Sequence, residues 1–171
     1  MGITMMDWIV SETDAYELLA AFLQRERGIA PLPAVARRAG GKPWFPDQPQ
    51  VEFNVSHSGG LSLCALADGS VGADIERIRP RGAGLPRYTL SGQEWDWFCA
   101  RGSRWEDFYT LWTLKEARVK CTGQGLRRPA REISVPLLMP GEERDWQGFH
   151  FTALSGPGWR GAVCEAVSDT V

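Results

Sequence analysis

The sequence predicts an α+β fold built from two similar halves, each with a helix and a three-stranded antiparallel sheet. Two observations lead to this prediction. Short apolar or alternating runs bounded by glycine, proline and aspartate are typical of strands, and they occur beside amphipathic segments typical of helices. A helix followed by three strands occurs twice, once before Glu76 and once after Ser103. We expect the halves, about residues 1–80 and 88–171, to pack with pseudo-twofold symmetry, although an ordinary mixed α+β domain fits the pattern equally well.

The first predicted element is a helix over residues 13–27. Its apolar residues recur at i, i+3, i+4 and i+7 and therefore share one face: Tyr16, Leu19, Ala20 and Leu23. Thr13 or Asp14 can cap the first turn, and Gly28 ends the helix. A loop rich in glycine, proline and basic residues follows and leads to the first strand.

Three extended segments complete the first half, and they begin at Val51, Leu61 and Val71. The second and third are joined by Asp68-Gly69, a strong hairpin signal, because glycine adopts the positive φ that a tight turn requires. We therefore expect the three segments to form one antiparallel sheet.

Two capping boxes predict the helices of the second half. The first, at residues 91–94, opens a short helix that ends near residue 100. The second, at residues 103–106, opens a longer helix that reaches Cys121 and is closed by Gly123. Three strand candidates follow, separated by glycine and proline turns: Glu132 to Leu138, Gly148 to Leu154 and Trp159 to Val167.

The composition indicates a single domain spanning residues 1–171. Of the 171 residues, 43% are hydrophobic and eight are tryptophan, which is enough to form a core. A formal net charge of −2 provides no basic field for a nucleic acid, and the chain contains neither a long apolar run nor a basic-then-apolar leader. The four cysteines are isolated in the sequence, which is typical of reduced thiols in the cytoplasm.

Two carboxylates at the end of the third extended segment are the first candidate site residues. Asp74 and Glu76 are two residues apart, so on a strand their side chains point to the same face. Carboxylates that converge repel each other unless a cation lies between them. With the Ser-His-Ser turn at 56–58 nearby, the pair is a candidate place for a metal-bound anion. A solvated sheet edge explains the carboxylates equally simply, and His57 alone is more often structural.

The long helix carries a second set of candidates. Trp112, Glu116 and Lys120 are spaced i, i+4 and i+8 and share one face of the helix. Considered alone, a Glu–Lys pair at this spacing is an ordinary exposed ion pair.

Four short motifs stand in a fixed order within residues 15–125: Gly41-Lys42-Pro43, Phe53-Asn54-x-Ser56-His57-Ser58, Gly72-x-Asp74-x-Glu76 and Trp112-x-x-Lys115-Glu116-Ala117-x-x-Lys120-x-x-Gly123. Their order and spacing resemble the 4'-phosphopantetheinyl transferases, in particular the larger, monomeric, surfactin-synthetase-activating type. Each motif alone would be a weak signal, and the ordered set of four is specific.

The resemblance implies a transferase that moves 4'-phosphopantetheine from coenzyme A to a serine hydroxyl of an apo acyl or peptidyl carrier protein, releasing adenosine 3',5'-bisphosphate. Mg²⁺ is the implied cofactor, with Asp74, Glu76 and Glu116 as ligands, because Mg²⁺ binds few carboxylates and keeps several waters. Glu116 is also the expected base for the serine, and Lys120 is expected to stabilise developing charge or protonate the leaving group. The implied setting is a cytoplasmic monomer with no nucleic-acid or membrane partner.

The same resemblance implies the residues that contact coenzyme A. His57 and Ser56 are expected at its phosphates, Lys42 at its nucleotide end, and Lys115 in a supporting anion contact.

Relatives of this type usually carry a longer, basic N-terminal segment that helps to hold the 3'-phosphate of coenzyme A. About a dozen residues precede the first helix here, and they match no part of that segment. Arg37 and Arg38 are candidates to replace it, although solvated loop arginines explain them equally simply. We therefore expect weak recognition of the 3'-phosphate.

Two alternatives remain open at this stage. One is a catalytically weak or inactive relative that binds coenzyme A or a carrier protein without turnover. The other is an unrelated Mg²⁺-dependent phosphohydrolase, which would also need clustered carboxylates and a histidine but not the Gly41-Lys42-Pro43 loop.

Overall fold

The computed structural model describes residues 6–125 and 127–167. Its helices are α1 Ala15–Arg27, α2 Leu85–Thr89, α3 Gly92–Ala100 and α4 Trp105–Thr122. Its strands are β1 Asp7–Ser11, β2 Ala36–Arg37, β3 Pro43–Trp44, β4 Glu52–Ser58, β5 Leu61–Ala67, β6 Val71–Arg77, β7 Glu143–Trp146, β8 Phe149–Gly156 and β9 Trp159–Ala166. None of the described helices combines the length and the apolar character needed to span a membrane.

The first sheet is antiparallel and has the strand order β1-β5-β4. Helix α1 packs on it and forms a core in which Leu19, Leu23, Phe53 and Leu66 are completely buried. Strand β1 was not predicted from the sequence. It pairs with β5 along its whole length and forms one edge of the sheet.

Helix α1 begins where the sequence predicted, and it buries Leu19 and Leu23 as predicted, but the rest of its buried face differs. Asp14 Oδ1 accepts hydrogen bonds from the backbone N–H groups of Tyr16 and Glu17, which confirms the predicted cap. Leu18 and Phe22 are buried, whereas Tyr16 is only partly buried and faces a cleft described below. The 3.6-residue period allows the buried face to extend to either side of Leu19 and Leu23, and the position of the sheet decides which side is covered.

The second sheet is antiparallel, has the order β6-β9-β8-β7 and carries α4 on one face. Strand β6 belongs to this sheet, where Val71 pairs with Glu165 and Arg77 with Trp159. The predicted hairpin between β5 and β6 is therefore wrong. Asp68-Gly69 turns the chain as expected, but a turn signal does not determine which strand edge the chain then joins.

Side chains of β4 connect the two sheets. Strands β4 and β6 lie side by side, and alternate side chains of β4 accept hydrogen bonds from backbone N–H groups of β6. The bonds join Ala73 N to Asn54 Oδ1 (2.9 Å), Ile75 N to Ser56 Oγ (3.1 Å) and Arg77 N to Ser58 Oγ (3.1 Å). We call these three bonds the polar seam. They satisfy β6 backbone donors that no strand pairs on this side within the described residues.

The second half differs from the prediction at two elements. The predicted capping box at 103–106 is wrong, because Ser103 adopts a positive φ of 52° and Arg104 occupies the cap position without a side-chain hydrogen bond. The predicted strand Glu132 to Leu138 is also wrong, and β7 lies later in the chain. Two apolar residues of that segment, Val135 and Leu138, are buried in the core around α4, so their hydrophobicity reflects packing.

The prediction of a mixed fold with antiparallel sheets is confirmed. The predicted three-stranded sheet in each half is wrong. The second sheet has four strands, and it includes β6 from the first half of the chain. The pseudo-twofold relation and the single domain over residues 1–171 stay predictions.

Candidate active site

A cleft of about 410 Å³ opens between the first turn of α1, the loop joining β2 to β3, strand β4 and the last turns of α4. Four of the predicted site residues line it: Arg37, Lys42, His57 and Lys120. The sequence separates these residues by as many as 83 positions, counted from residue 37 to residue 120, and the fold brings them to one concave surface.

The loop between β2 and β3 is held against the end of α4. A Cβ at Gly40 would lie 1.7 Å from Gly123 O, so only glycine permits this approach. Lys42 Nζ donates to Ser70 Oγ (2.7 Å) and to Cys121 O (3.0 Å), which satisfies a carbonyl in the last turn of the helix. Burial lowers the pKa of Lys42 below its ordinary value. Lys42 therefore lines the cleft and also holds the loop between β2 and β3 against the end of α4.

Asp74 and Lys120 form an ion pair at the inner edge of the cleft, with 2.8 Å between Oδ1 and Nζ. Ser56 Oγ lies 3.3 Å from the same Oδ1 and donates to it. The second carboxylate oxygen, Oδ2, is buried and has no hydrogen-bond partner within the described residues. Burial raises the pKa of Asp74 to about 7, with Lys120 acting against the rise and Glu76 and Glu116 reinforcing it.

The crossing of α4 over β6 determines the geometry of this cluster. A Cβ at Gly72 would lie 2.0 Å from Ala117 O and 2.3 Å from Cys121 N, so α4 packs directly on the β6 backbone. This contact places Glu116 and Lys120 above the strand that carries Asp74. Glu116 is partly buried, and burial raises its pKa, with Glu76 adding to the rise and Lys120 opposing it.

Comparison of the sequence with known proteins identifies the family of this chain. The sequence profile of the 4'-phosphopantetheinyl transferase superfamily matches residues 70–155, half of the chain. The chain belongs to this superfamily. It is 33% identical over 137 residues to the 4'-phosphopantetheinyl transferase Sfp of Bacillus subtilis (strain 168), covering 75% of this chain and 61% of that protein. It is 38% identical over 110 residues to the 4'-phosphopantetheinyl transferase AcpT of Salmonella typhi, covering 61% of this chain and 57% of that protein.

The chain thus spans about three fifths of the length of these two transferases. The profile match contains the carboxylates of β6 and the motif of α4, and it begins after Lys42 and His57. The predicted membership of the 4'-phosphopantetheinyl transferases is confirmed. The roles assigned to individual residues stay predictions.

The structure corrects the expectation for Lys115. This side chain is 1% exposed, and Nζ donates to Glu94 Oε1 (2.8 Å), Ala130 O (2.8 Å) and Ile133 O (2.7 Å). An ammonium group has three N–H donors, and all three are used. Lys115 therefore joins α3 and the segment after α4 to the helix, and it has no donor left for an anion.

Ser56 and Arg38 also lie elsewhere than expected. Ser56 faces β6, where its hydroxyl accepts the Ile75 N–H and donates to Asp74, and it does not line the cleft. The Arg38 guanidinium stacks 4.6 Å from the Trp44 ring and lies 3.6 Å from Glu52, whereas Arg37 lines the cleft. His57, next to Ser56 on β4, points to the opposite face of the strand and into the cleft.

The carboxylates Asp74, Glu76 and Glu116 are the candidate ligands for a divalent cation. Within the described residues, no three His, Cys, Asp or Glu side chains are gathered closely enough to hold a metal ion as they stand. The chemistry of the cluster nevertheless fits one. Oδ2 of Asp74 has no hydrogen-bond partner among the described residues, and neighbouring carboxylates raise the pKa values of Asp74 and Glu116 beyond the effect of burial. The cluster is thus an oxygen-rich, negatively charged place that a hard cation such as Mg²⁺ would neutralise.

Several residues build the site in ways that the sequence did not indicate, although three of them, Asn54, Ser58 and Gly72, stand in the quoted motifs. Asn54 and Ser58 belong to the polar seam, and Gly72 and Gly40 permit the two close approaches. The seam residues do carry a signal, since 54, 56 and 58 are polar at a period of two within a strand. The predicted sheet paired β6 with β5, so it did not indicate that the side chains of β4 would accept hydrogen bonds from the β6 backbone.

Proposed function

We propose that this chain transfers 4'-phosphopantetheine from coenzyme A to a serine hydroxyl of an apo acyl or peptidyl carrier protein and releases adenosine 3',5'-bisphosphate. One observation carries the proposal: the Asp74–Lys120 pair, with Glu116 beside it, lies at the edge of a cleft lined by Lys42 and His57. Membership of the superfamily and the similarity to two named 4'-phosphopantetheinyl transferases support it.

In this proposal the cleft binds the nucleotide and diphosphate of coenzyme A. Arg37, Lys42 and His57 line it, so two cations and an imidazole face the region that the phosphates occupy. Because Lys42 already donates two hydrogen bonds to the protein, it acts mainly as a fixed positive charge.

Glu116 takes the proton of the carrier serine. Its partly buried position raises its pKa, which makes the ionised carboxylate a stronger base than an exposed one. The serine oxygen forms a bond to the phosphorus that carries pantetheine, and the bond from that phosphorus to the bridging oxygen breaks. Lys120, whose ammonium group already lies beside the cleft, stabilises the negative charge on the departing 5'-phosphate.

Asp74, Glu76 and Glu116 are the residues proposed to hold Mg²⁺, consistent with the chemistry of the cluster. Bound there, the ion supplies neutralisation of the diphosphate charge. Asp74 also keeps Lys120 oriented through the 2.8 Å ion pair.

The carrier protein is proposed to dock on the segment that follows β6. This segment and α2 contain Arg79, Arg81, Arg87 and an aromatic residue, Tyr88, that is 70% exposed. Carrier proteins are acidic around the modified serine, so a basic surface beside Glu76 would attract them. The rate at low carrier concentration should then fall as salt rises, since attraction between exposed charges is screened beyond about 10 Å at 0.1 M.

One assay tests the function. The protein is incubated with coenzyme A, Mg²⁺ and a panel of apo carrier proteins, and the intact mass of each carrier is measured. We expect at least one carrier to gain the mass of phosphopantetheine and the gain to disappear in Glu116→Gln, with turnover reduced by about 10²-fold or more. Binding of coenzyme A without a mass change on any carrier would indicate a binding relative. Cleavage of the diphosphate without a carrier would indicate a hydrolase.

A further inference from the structure

Two buried thiols meet beneath the last turn of α4. Cys121 lies in that turn and Cys164 lies on β9, 43 positions later when counted from residue 121 to residue 164, and the two residues are 1% and 0% exposed. Both belong to the core around α4. We call them the thiol pair. The transfer reaction proposed above uses neither thiol, so the pair is free to carry a separate chemistry.

The close approach of α4 to β6 brings the thiol pair together. Gly72 on β6 pairs with Cys164 on β9, so their Cα atoms are neighbours in adjacent strands, about 4.5–5.5 Å apart. A Cβ at Gly72 would lie 2.9 Å from the Cα atom of Cys121. The helix backbone at Cys121 therefore lies directly on the strand beside Cys164. A side chain at position 72 would hold the helix farther from β9.

The two thiols differ in reactivity. The hydrogen bond from the Cys164 thiol lowers the pKa of Cys121 against the effect of burial, and the charge of Lys42 lowers it further. Burial raises the pKa of Cys164, and the hydrogen bond with Cys121 adds to this rise. Because the thiolate is the nucleophilic form, Cys121 is the member that reacts first with an oxidant, and Cys164 is placed to resolve the product.

The other two cysteines lack this arrangement. Cys64 is buried on β5 and donates to Ala15 O (3.4 Å). Burial, with the charge of Asp14 adding to it, raises the pKa of Cys64 to about 12, and no other cysteine of the described chain contributes to that rise. Cys99 is exposed on α3. Cys64 therefore provides a matched control for the thiol pair, a buried thiol without a partner.

The turn that carries Cys121 also positions the lysines of the cleft. Cys121 O accepts hydrogen bonds from Lys42 Nζ (3.0 Å) and from Ser70 Oγ, and Cys121 Sγ donates to Ser70 O (3.2 Å). The preceding residue, Lys120, forms the ion pair with Asp74. A disulfide would draw the two sulfurs from hydrogen-bond contact to about 2.05 Å and take Cys121 Sγ away from Ser70 O. That change would shift the turn on which both lysines depend.

We propose that Cys121 and Cys164 form a reversible disulfide when a peroxide oxidises the protein, and that this disulfide weakens the binding of coenzyme A in the cleft. The second part rests on the proposed function, whereas the first does not. The Cys121 thiolate attacks one oxygen of hydrogen peroxide, the O–O bond breaks, and hydroxide leaves Cys121 as a sulfenic acid. The Cys164 thiol then attacks the sulfenic sulfur, the S–S bond forms, and the sulfenic oxygen leaves as water. The two thiols lose two electrons, which reduce the peroxide.

Burial sets the rate of this reaction. Peroxide reaches Cys121 only when the last turn of α4 opens locally, and the end of a helix opens more readily than its middle. A ligand in the cleft would contact Val119 and Gly123, which belong to the same end of the helix. Coenzyme A should therefore slow the oxidation, because it stabilises the closed turn.

The first measurement detects the disulfide without any assay of function. A Cys99→Ser background removes the exposed thiol, which leaves three of the four cysteines. After treatment with hydrogen peroxide, denaturation and alkylation, we expect one alkyl group on the protein instead of three. Trypsin cleaves after Lys120, Arg127 and Arg160, so peptides 121–127 and 161–171 should appear as one linked species that dithiothreitol separates. Recovery of these peptides unlinked, whether unmodified or as sulfinic acids, would overturn the proposal.

The second measurement compares Kd for coenzyme A, by isothermal titration calorimetry with Mg²⁺, in the reduced, oxidised and re-reduced protein. Oxidation should raise Kd by about tenfold or more, since charge-assisted hydrogen bonds from a displaced lysine are lost, and dithiothreitol should restore it. Cys121→Ser and Cys164→Ala should abolish this response, and Cys64→Ala should keep it. An unchanged Kd in the linked protein, or an equal response in Cys164→Ala, would overturn the proposed effect on the cleft.

The two proposals fail in different ways. If the reduced protein binds no coenzyme A, the proposed function falls together with the second part of the inference, while the linked peptides still decide the first part. If the reduced protein binds coenzyme A and oxidation gives no link between residues 121 and 164, only the inference falls. Urea unfolding of the reduced variants shows whether they are folded, and Cys164→Ser replaces Cys164→Ala if the latter is not.

Discussion

The polar seam predicts a gradient of stability along β4. Asn54→Ala removes the acceptor of the Ala73 N–H, and both residues are buried, at 4% and 0% exposure. A buried backbone donor left without a partner costs about 1–3 kcal/mol. Ser56→Ala affects the Ile75 N–H, which is also buried, and removes a hydrogen bond to Asp74, so its cost should be similar.

Ser58→Ala should cost much less. Its seam partner is the N–H of Arg77, at the partly exposed end of β6, where water can replace the hydroxyl. We expect about 0.5 kcal/mol, near the low end for a single hydrogen bond. The structure therefore orders the three substitutions by the burial of the donor that each leaves behind.

Urea unfolding of the three variants measures the gradient, provided that the m-value stays constant. Ser62→Ala is the control, since Ser62 is buried in β5 and makes no side-chain hydrogen bond to any described residue. Losses in the free energy of unfolding below about 0.5 kcal/mol for both the Asn54 and the Ser56 variant would refute the reasoning, because the seam would then not stabilise the contact between the two sheets. A loss for the Ser58 variant equal to that for the Asn54 variant would also refute it, because burial of the donor would then not set the cost.

Three further predictions concern α4 and the residues beneath it. Gly72→Ala should destabilise the fold by about 1–3 kcal/mol or more and lower transfer, because the new Cβ forces α4 away from β6; urea unfolding near the wild-type value would contradict this. Lys115→Met should cost about 3–5 kcal/mol by leaving the buried Glu94 carboxylate unpaired, and much less when combined with Glu94→Gln. With EDTA present, burial gives Asp74 a pKa of about 7 against an ordinary 3.8, so the folded state binds the extra proton. The stability that this proton provides is complete below pH 4 and is lost by up to about 1.4 kcal/mol per unit as pH rises towards 7, a slope that Asp74→Asn should remove in a urea series.

The sequence by itself determined the parts of the protein that depend on local interactions or on ordered motifs. The Asp14 cap of α1, the capping box of α3 and the extent of β5 and β6 follow from the residues within each element. The four ordered motifs identified the superfamily. These predictions succeeded because capping, turn formation and motif spacing are all properties of nearby residues.

Only the tertiary structure decided how these elements are combined. Strand β6 pairs with β9 in the second sheet, Gly72 lets α4 pack directly on it, and the polar seam connects it to β4. Turn residues between β5 and β6 cannot specify that partner.

Tertiary structure also decides which residues of one motif face the cleft and which are committed to the core. Lys115 and Lys120 lie in one motif, yet burial against Glu94 commits the first to the core, while the second reaches Asp74 at the cleft. Ser56 and His57 are adjacent, and the alternation of the strand sends one to the seam and the other to the cleft. A sequence records which side chains are present, but burial and the atoms facing each side chain decide whether its charge is used to hold the fold or is left for a ligand.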